Sequence, residues 1–163
     1  MAMHKTFIGI VASLLTLLGC VPERKTSVEV MYRSGVEFRI TGSGKLAYFA
    51  VYKSSYPQMA TEPNDPQQAL WVFTAKGEPG YVEHLNEFGY GKVPDGYIQE
   101  FPRGAPPEPL KDGEKYYFHA DTLSAPGFSG YLQVNDHRAS IVEGEHVCFA
   151  ESNGKWIRRP CEK

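Results

Sequence analysis

The sequence predicts an all-β fold, a small antiparallel β-sandwich, with a small closed β-barrel as the alternative. Three observations carry that expectation. Strand-forming runs recur about every ten residues with turn residues between them, aromatic side chains are abundant, and no window of a dozen residues holds a helical period. The chain of 163 residues contains ten Tyr, nine Phe and two Trp, and its 16 Gly and 12 Pro are scattered rather than clustered. That mixture suits short strands joined by tight turns. A chain of this length builds one ordinary hydrophobic core. Internal repeats, coiled-coil heptads, acidic tails and Gln/Asn-rich tracts are absent from it.

The first element is a leader over residues 1–19. Lys5 supplies a basic start, residues 6–18 are almost wholly apolar, and Gly19 is a small residue before Cys20. This is the layout of a secretory leader. The apolar run is too short to span a bilayer as a helix, which needs about 20 residues.

The stretch Leu17-Leu18-Gly19-Cys20 resembles the lipobox of bacterial lipoproteins. The resemblance implies that Cys20 receives a diacylglyceryl thioether, becomes the new N-terminus after cleavage, and is then acylated on its amine. A membrane anchor through this lipid follows, because one acyl chain binds marginally while two signals hold stably. An ordinary leader would show an A-x-A pattern at its cut, and none is present. Val21 follows the cysteine. In enteric lipoproteins an aspartate there retains the protein at the inner membrane, so valine implies delivery to the outer membrane, facing the periplasm. Residues 20–26 then read as a lipidated polar tether, and 27–163 as a single β-rich domain.

Strand character follows at 28–32, 36–41, 46–53, 70–74, 80–84, 97–101, 115–120, 130–134, 139–142 and 146–150. In Val36-Glu37-Phe38-Arg39-Ile40 apolar and charged residues alternate, as in a half-buried antiparallel strand. The run Leu46-Ala47-Tyr48-Phe49-Ala50-Val51-Tyr52 is apolar on both faces and predicts a central strand. Two long connections stand out, residues 54–68 with three prolines and 101–113 with four. Loops of that length are often functional, and prolines in the second favour an extended, stiff edge. A rigid crossover between the sheets accounts for it equally well. Trp71 and the strand Gly113-Glu114-Lys115-Tyr116-Tyr117-Phe118-His119-Ala120 resemble the core Trp and late tyrosine strand of immunoglobulin-like and fibronectin type III-like domains.

With Cys20 lipidated, Cys148 and Cys161 are an even pair in an oxidising compartment, which predicts a disulfide between them. They flank a turn built from Ser152-Asn153-Gly154-Lys155, a hairpin signal. Two registers compete. An Asn153-Gly154 turn sets Cys148 opposite Arg159, with the cysteines as diagonal neighbours. A Gly154-Lys155 turn sets Cys148 opposite Cys161 but puts Pro160 where a backbone N–H is needed. In either register the bridge closes about 14 residues and contributes roughly 3 kcal/mol.

Catalytic and metal signatures are lacking. His84, His119, His137 and His146 form no H-E-x-x-H pair, there is no C-x-x-C, and no phosphate loop or EF-hand loop occurs. Gly127-Phe128-Ser129-Gly130 falls short of the G-x-S-x-G elbow and reads as a turn. Asp136-His137 reads as a hairpin turn, and Arg158-Arg159 as a solvated strand face. Lys plus Arg number 17 against 19 Asp plus Glu, and removing the leader leaves 16 against 19. A net negative chain is a poor nucleic-acid binder. The expectation is therefore a protein-binding lipoprotein without catalytic activity or cofactor, whose partner is a toxin or an envelope component. In size, lipobox and late cysteine-bearing hairpin the chain resembles immunity lipoproteins of type VI secretion systems, which implies neutralisation of a toxin in the periplasm. The alternatives are a structural or assembly lipoprotein of the envelope, and a small envelope hydrolase or ligand carrier.

Overall fold

A computed structural model describes residues 24–54, 68–85, 87–152 and 155–161. The leader, Cys20, most of the 54–68 connection and the Asn153-Gly154 turn lie outside the described residues. Ten strands form among the described residues: β1 Ser27–Tyr32, β2 Val36–Thr41, β3 Lys45–Lys53, β4 Ala69–Ala75, β5 Phe88–Gly89, β6 Tyr97–Phe101, β7 Lys115–Leu123, β8 Gly127–Asn135, β9 Arg138–Ser152 and β10 Lys155–Pro160. Two antiparallel sheets result, ordered β1-β2-β5 and β10-β9-β8-β7-β3-β4-β6. The large sheet does not close on itself, so the fold is a sandwich and not a barrel. Its division into three and seven strands differs from the four-and-three layout of an immunoglobulin-like constant domain.

The alternating strand β2 places Val36, Phe38 and Ile40 inward, against the large sheet. Strand β3 lies between β7 and β4, as its two apolar faces require. Leu46, Phe49 and Val51 enter the main core, while Ala50 and Tyr52 join a smaller cluster on the other face with Val72 and Tyr117. A bulge between Leu46 and Tyr48 switches the alternation. Phe49 is the hub: its ring centroid lies 4.9 Å from Phe38, 5.4 Å from Phe73, 5.2 Å from Phe88 and 5.9 Å from Trp71. Edge-to-face and offset contacts at these spacings add to the area each ring buries. Trp71 is fully buried, and its indole N–H donates to Gln99 Oε1 at 3.1 Å.

Four segments depart from expectation. Residues 80–84 make a single bridge, Tyr81 to Lys45, and then turn as a 3-10 helix over Val82–His84 because Val82 is drawn fully into the core. The two runs at 139–142 and 146–150 are one strand, β9, kinked where Val142 is left over between the pairs Leu132 to Ile141 and Tyr131 to Glu143. Gly127 to Gly130 is strand, not turn. Thr26, expected in a polar tether, is instead buried in the sandwich with its hydroxyl 3.1 Å from that of Thr122, and the Arg24 carbonyl accepts from the Ser43 N–H.

The hairpin adopts the register with Ser152 opposite Lys155 and Cys148 opposite Arg159. The Cys161 N–H donates to the His146 carbonyl at 3.1 Å, so Pro160, opposite Val147, stands at a non-hydrogen-bonded position where its missing N–H is not needed. Cys148 and Cys161 are bridged with their Cα atoms 5.0 Å apart. β8 begins at Gly127 opposite Val147, so β9 from Cys148 onward runs past the end of β8 and, among the described residues, pairs with β10 alone.

Candidate functional site

The sandwich has two ends. At one lie the start of β1, the β2–β3 turn and the β7–β8 turn, next to Arg24. At the other lie the β1–β2 turn, the β8–β9 turn and the segment entering β7. This distal end carries a cleft of about 460 Å³, walled by Tyr32, Tyr90 and Leu110 and edged by Lys92, Asp112 and His137.

Each wall is fixed by local chemistry. Asp136 and His137 form the two-residue turn between Asn135 and Arg138, with φ of 45° and 58°. Positive φ at both central residues matches the twist of the hairpin, and Asp and His enter that region more readily than most residues. The Asp136 N–H donates to Asp112 Oδ1 at 2.6 Å. The His137 ring lies edge-on to Tyr32, with centroids 5.6 Å apart and Nδ1 3.3 Å from the Tyr32 hydroxyl.

The proline-rich segment after β6 forms the facing wall and is fastened along its length. Gln99 Nε2 donates to the carbonyls of Pro102 and Ala105 at 2.5 and 2.8 Å. The Tyr90 hydroxyl donates to the Glu108 carbonyl at 2.9 Å, and the Tyr116 hydroxyl accepts the Lys111 N–H at 2.7 Å. Burial pushes the phenols of Tyr90 and Tyr116 above their ordinary range, so both stay protonated in this role. Beside the cleft, Arg33 bridges Glu37 at 3.2 Å and Glu87 at 2.6 Å, and Arg39 also pairs with Glu87. The hydrogen bond from Arg33, with the charges of Arg33 and Arg39, holds the Glu87 carboxyl below its usual range. Glu37 is thus ion-paired, and among the described residues the cleft carboxylates outside an ion pair are Asp112, whose Oδ1 accepts the Asp136 N–H, and Asp136. An aromatic wall beside two carboxylates suits a planar cation such as a guanidinium.

A second polar arrangement lies on the other face of the large sheet. His119 of β7 and Ser129 of β8 are register partners, and His119 Nδ1 is 2.8 Å from Ser129 Oγ. Both are buried, at 2% and 0% exposure. A small cleft of about 180 Å³ borders Ser129, between Tyr117, Tyr131, Glu143 and Glu145. The sequence reading of Gly127 to Gly130 as a turn hid this pair. With that segment as strand, Ser129 falls on the face His119 shares with Tyr117, because alternate residues of a strand point the same way.

The structure brings Cys148 and Cys161 together, and Cys20 lies outside the described residues. His84, His137 and His146 lie on separate elements, the 3-10 turn, the β8–β9 turn and β9. Among the described residues no group of three or more His, Cys, Asp or Glu is placed to hold a metal ion. Tyr32, Tyr90, Lys92 and Asp112 of the distal cleft carry no sequence motif. Only the extended segment 101–113 signalled it in advance. No protein-family model, no curated protein and no solved structure matches the chain.

Proposed function

We propose that the chain is a lipid-anchored, periplasm-facing lipoprotein of the outer membrane that binds one protein partner through the distal cleft. The observation that carries it is placement. The cleft lies at the end of the sandwich opposite Arg24, four residues after Cys20, and its proline-rich wall is fastened rather than loose. Fixed aromatic and proline edges lose little entropy on binding. The carboxylates of Asp112 and Asp136 favour a partner segment bearing arginine. Affinity capture from detergent-solubilised envelopes tests this: Asp112→Lys with His137→Ala should lose the partner at least tenfold, and unchanged capture would overturn the cleft as the site.

Within that function, immunity to a type VI secretion toxin predicts that a deletion strain dies under attack by its own siblings; unharmed survival favours an assembly role instead. The Ser129–His119 contact supports a second, hydrolytic reading. A fluorophosphonate probe that labels Ser129 in the folded protein would favour it, since a serine activated by histidine reacts with such reagents.

A further inference from the structure

Three of the four large apolar side chains exposed among the described residues gather at the end of the sandwich opposite the cleft: Tyr81 at 45%, Ile98 at 48% and Leu123 at 49% exposure. Register places them together. Lys45 stands between Leu123 of β7 and Tyr81, with its ammonium 5.0 Å from the centre of the Tyr81 ring. Ile98 of β6 pairs with Thr74, which in turn pairs with Tyr48 of β3. Leu46 and Tyr97 turn into the core from the same strands, so Lys45 and Ile98 share the outer face of the large sheet.

The chain meets the domain at this same end. The Ser43 N–H and hydroxyl both donate to the Arg24 carbonyl at 3.1 Å, and Thr26 contacts Thr122, the neighbour of Leu123. An extended chain spans at most about 3.6 Å per residue, so the four steps from Arg24 back to Cys20 cover about 14 Å or less. A lipid on Cys20 therefore holds this end against the membrane.

We propose that this end docks on the bilayer leaflet that holds the Cys20 lipid, with Leu123 and Tyr81 seated at the boundary of headgroups and acyl chains. The proposal rests on the lipid-anchor reading above. A tyrosine placed there buries its ring and keeps its hydroxyl wet. Lys45 lies along the Tyr81 ring and lifts its charge toward the headgroups, as amphipathic side chains do at such a boundary. Exposed Arg24 and Lys25 reach lipid phosphates from the tether. Glu78, 2.5 Å from Lys45, and Glu83 share this end, and the β9–β10 hairpin with exposed Arg159 runs past the end of β8 here, beside the Leu123 and Tyr81 patch. Its charge is thus mixed, and apolar contact rather than net charge determines the docking. The consequence for function is orientation. Strand β3 runs nine residues from this end to the other, about 30 Å at 3.3 Å per residue, and so carries the distal cleft clear of the surface, facing the periplasm.

The test uses the full lipidated protein in vesicles of phosphatidylethanolamine and phosphatidylglycerol. With Cys20 in a thioether and Cys148 bonded to Cys161, Leu123→Cys offers a single reactive thiol for an environment-sensitive fluorophore, and Ser34→Cys offers one beside the cleft. Nitroxide-bearing lipids should quench the label at 123 at least threefold more than the label at 34. Adding Ile98→Asp and Tyr81→Asp should reduce that quenching at least twofold while the protein still floats with the vesicles. Equal quenching at both positions in protein that floats overturns the docking and leaves the anchor standing. Protein that does not float at all overturns the anchor, and the docking with it.

Discussion

Gly130 of β8 and Gly144 of β9 face each other in register, and the two differ in what a methyl group would meet. A Cβ on Gly130 would collide with the Glu143 backbone carbonyl, whereas one on Gly144 would meet the tip of the Phe128 ring. Backbone cannot yield as a ring can. Gly130→Ala should lower unfolding free energy by about 2–3 kcal/mol and Gly144→Ala by about 1 kcal/mol or less, within the usual range for overpacking, measured by urea denaturation. Asp136 and His137 show the opposite case, two non-glycine residues held at positive φ beside the cleft. His137→Gly should raise stability by about 1 kcal/mol through relief of the left-handed conformation and weaken partner capture by removing the ring against Tyr32. Gain of stability with unchanged capture would show that the turn serves folding alone. At this scale the sequence was partly legible: Trp71 and the cysteine pair announce themselves by type. Ser129 and His119 do not, because their meeting depends on which strands are neighbours.

The disulfide hairpin is the element whose behaviour follows most directly from its register. Among the described residues no third strand pairs with the β9–β10 ribbon past Val147, and an isolated two-stranded hairpin is marginally stable in water. The bridge at its base closes a loop of about 14 residues, which stabilises by roughly 3 kcal/mol in the chain-entropy account. Cys148→Ser with Cys161→Ser should therefore raise amide exchange across residues 148–160 far more than in β3 or β7, read by hydrogen–deuterium exchange. Uniform acceleration throughout the sandwich would mean that the hairpin is part of the global folding unit. Strands β2 and β6 were legible to the residue, and β3 within one, since alternation or a two-faced apolar run marks them. β5 escaped because two residues carry no period. The Pro160 position shows that the deciding term for the hairpin was a missing N–H, visible in sequence, weighed against cysteine alignment, which a diagonal bridge satisfies.

For the whole molecule, stability should depend on pH at both extremes. The carboxyls of Glu78 and Glu87 titrate below their usual range in the fold, chiefly through hydrogen bonds from Lys45 and Arg33. Their contribution is present above the ordinary carboxylate value, about 4.5, and is lost as pH falls through the lower folded values, because the unfolded chain takes up protons first. These pairs are on the surface, so 0.5 M salt should flatten the acid limb. Tyr90, Tyr97 and Tyr116 are shifted the other way by burial. Their contribution is complete below the ordinary phenol value of 10.0 and declines as pH rises through and above it, since the unfolded chain ionises first. Thermal melts from pH 3 to 11 should show both declines, with the alkaline one insensitive to salt. The layered fold was legible at this scale because composition and strand spacing report it. The cleft was not, because its walls come from four separate parts of the chain.

If a lipid-anchored sandwich presents its distal cleft to one protein partner, as proposed, contact with that partner is confined to the distal end. Photocrosslinking in living cells reads that contact, with a benzophenone amino acid placed at 137 in one strain and at 123 in another. One discrete protein adduct is expected from position 137, lost when Asp112→Lys is added, and none from position 123. Adducts of the same protein from both positions, or from 123 alone, would contradict the proposal.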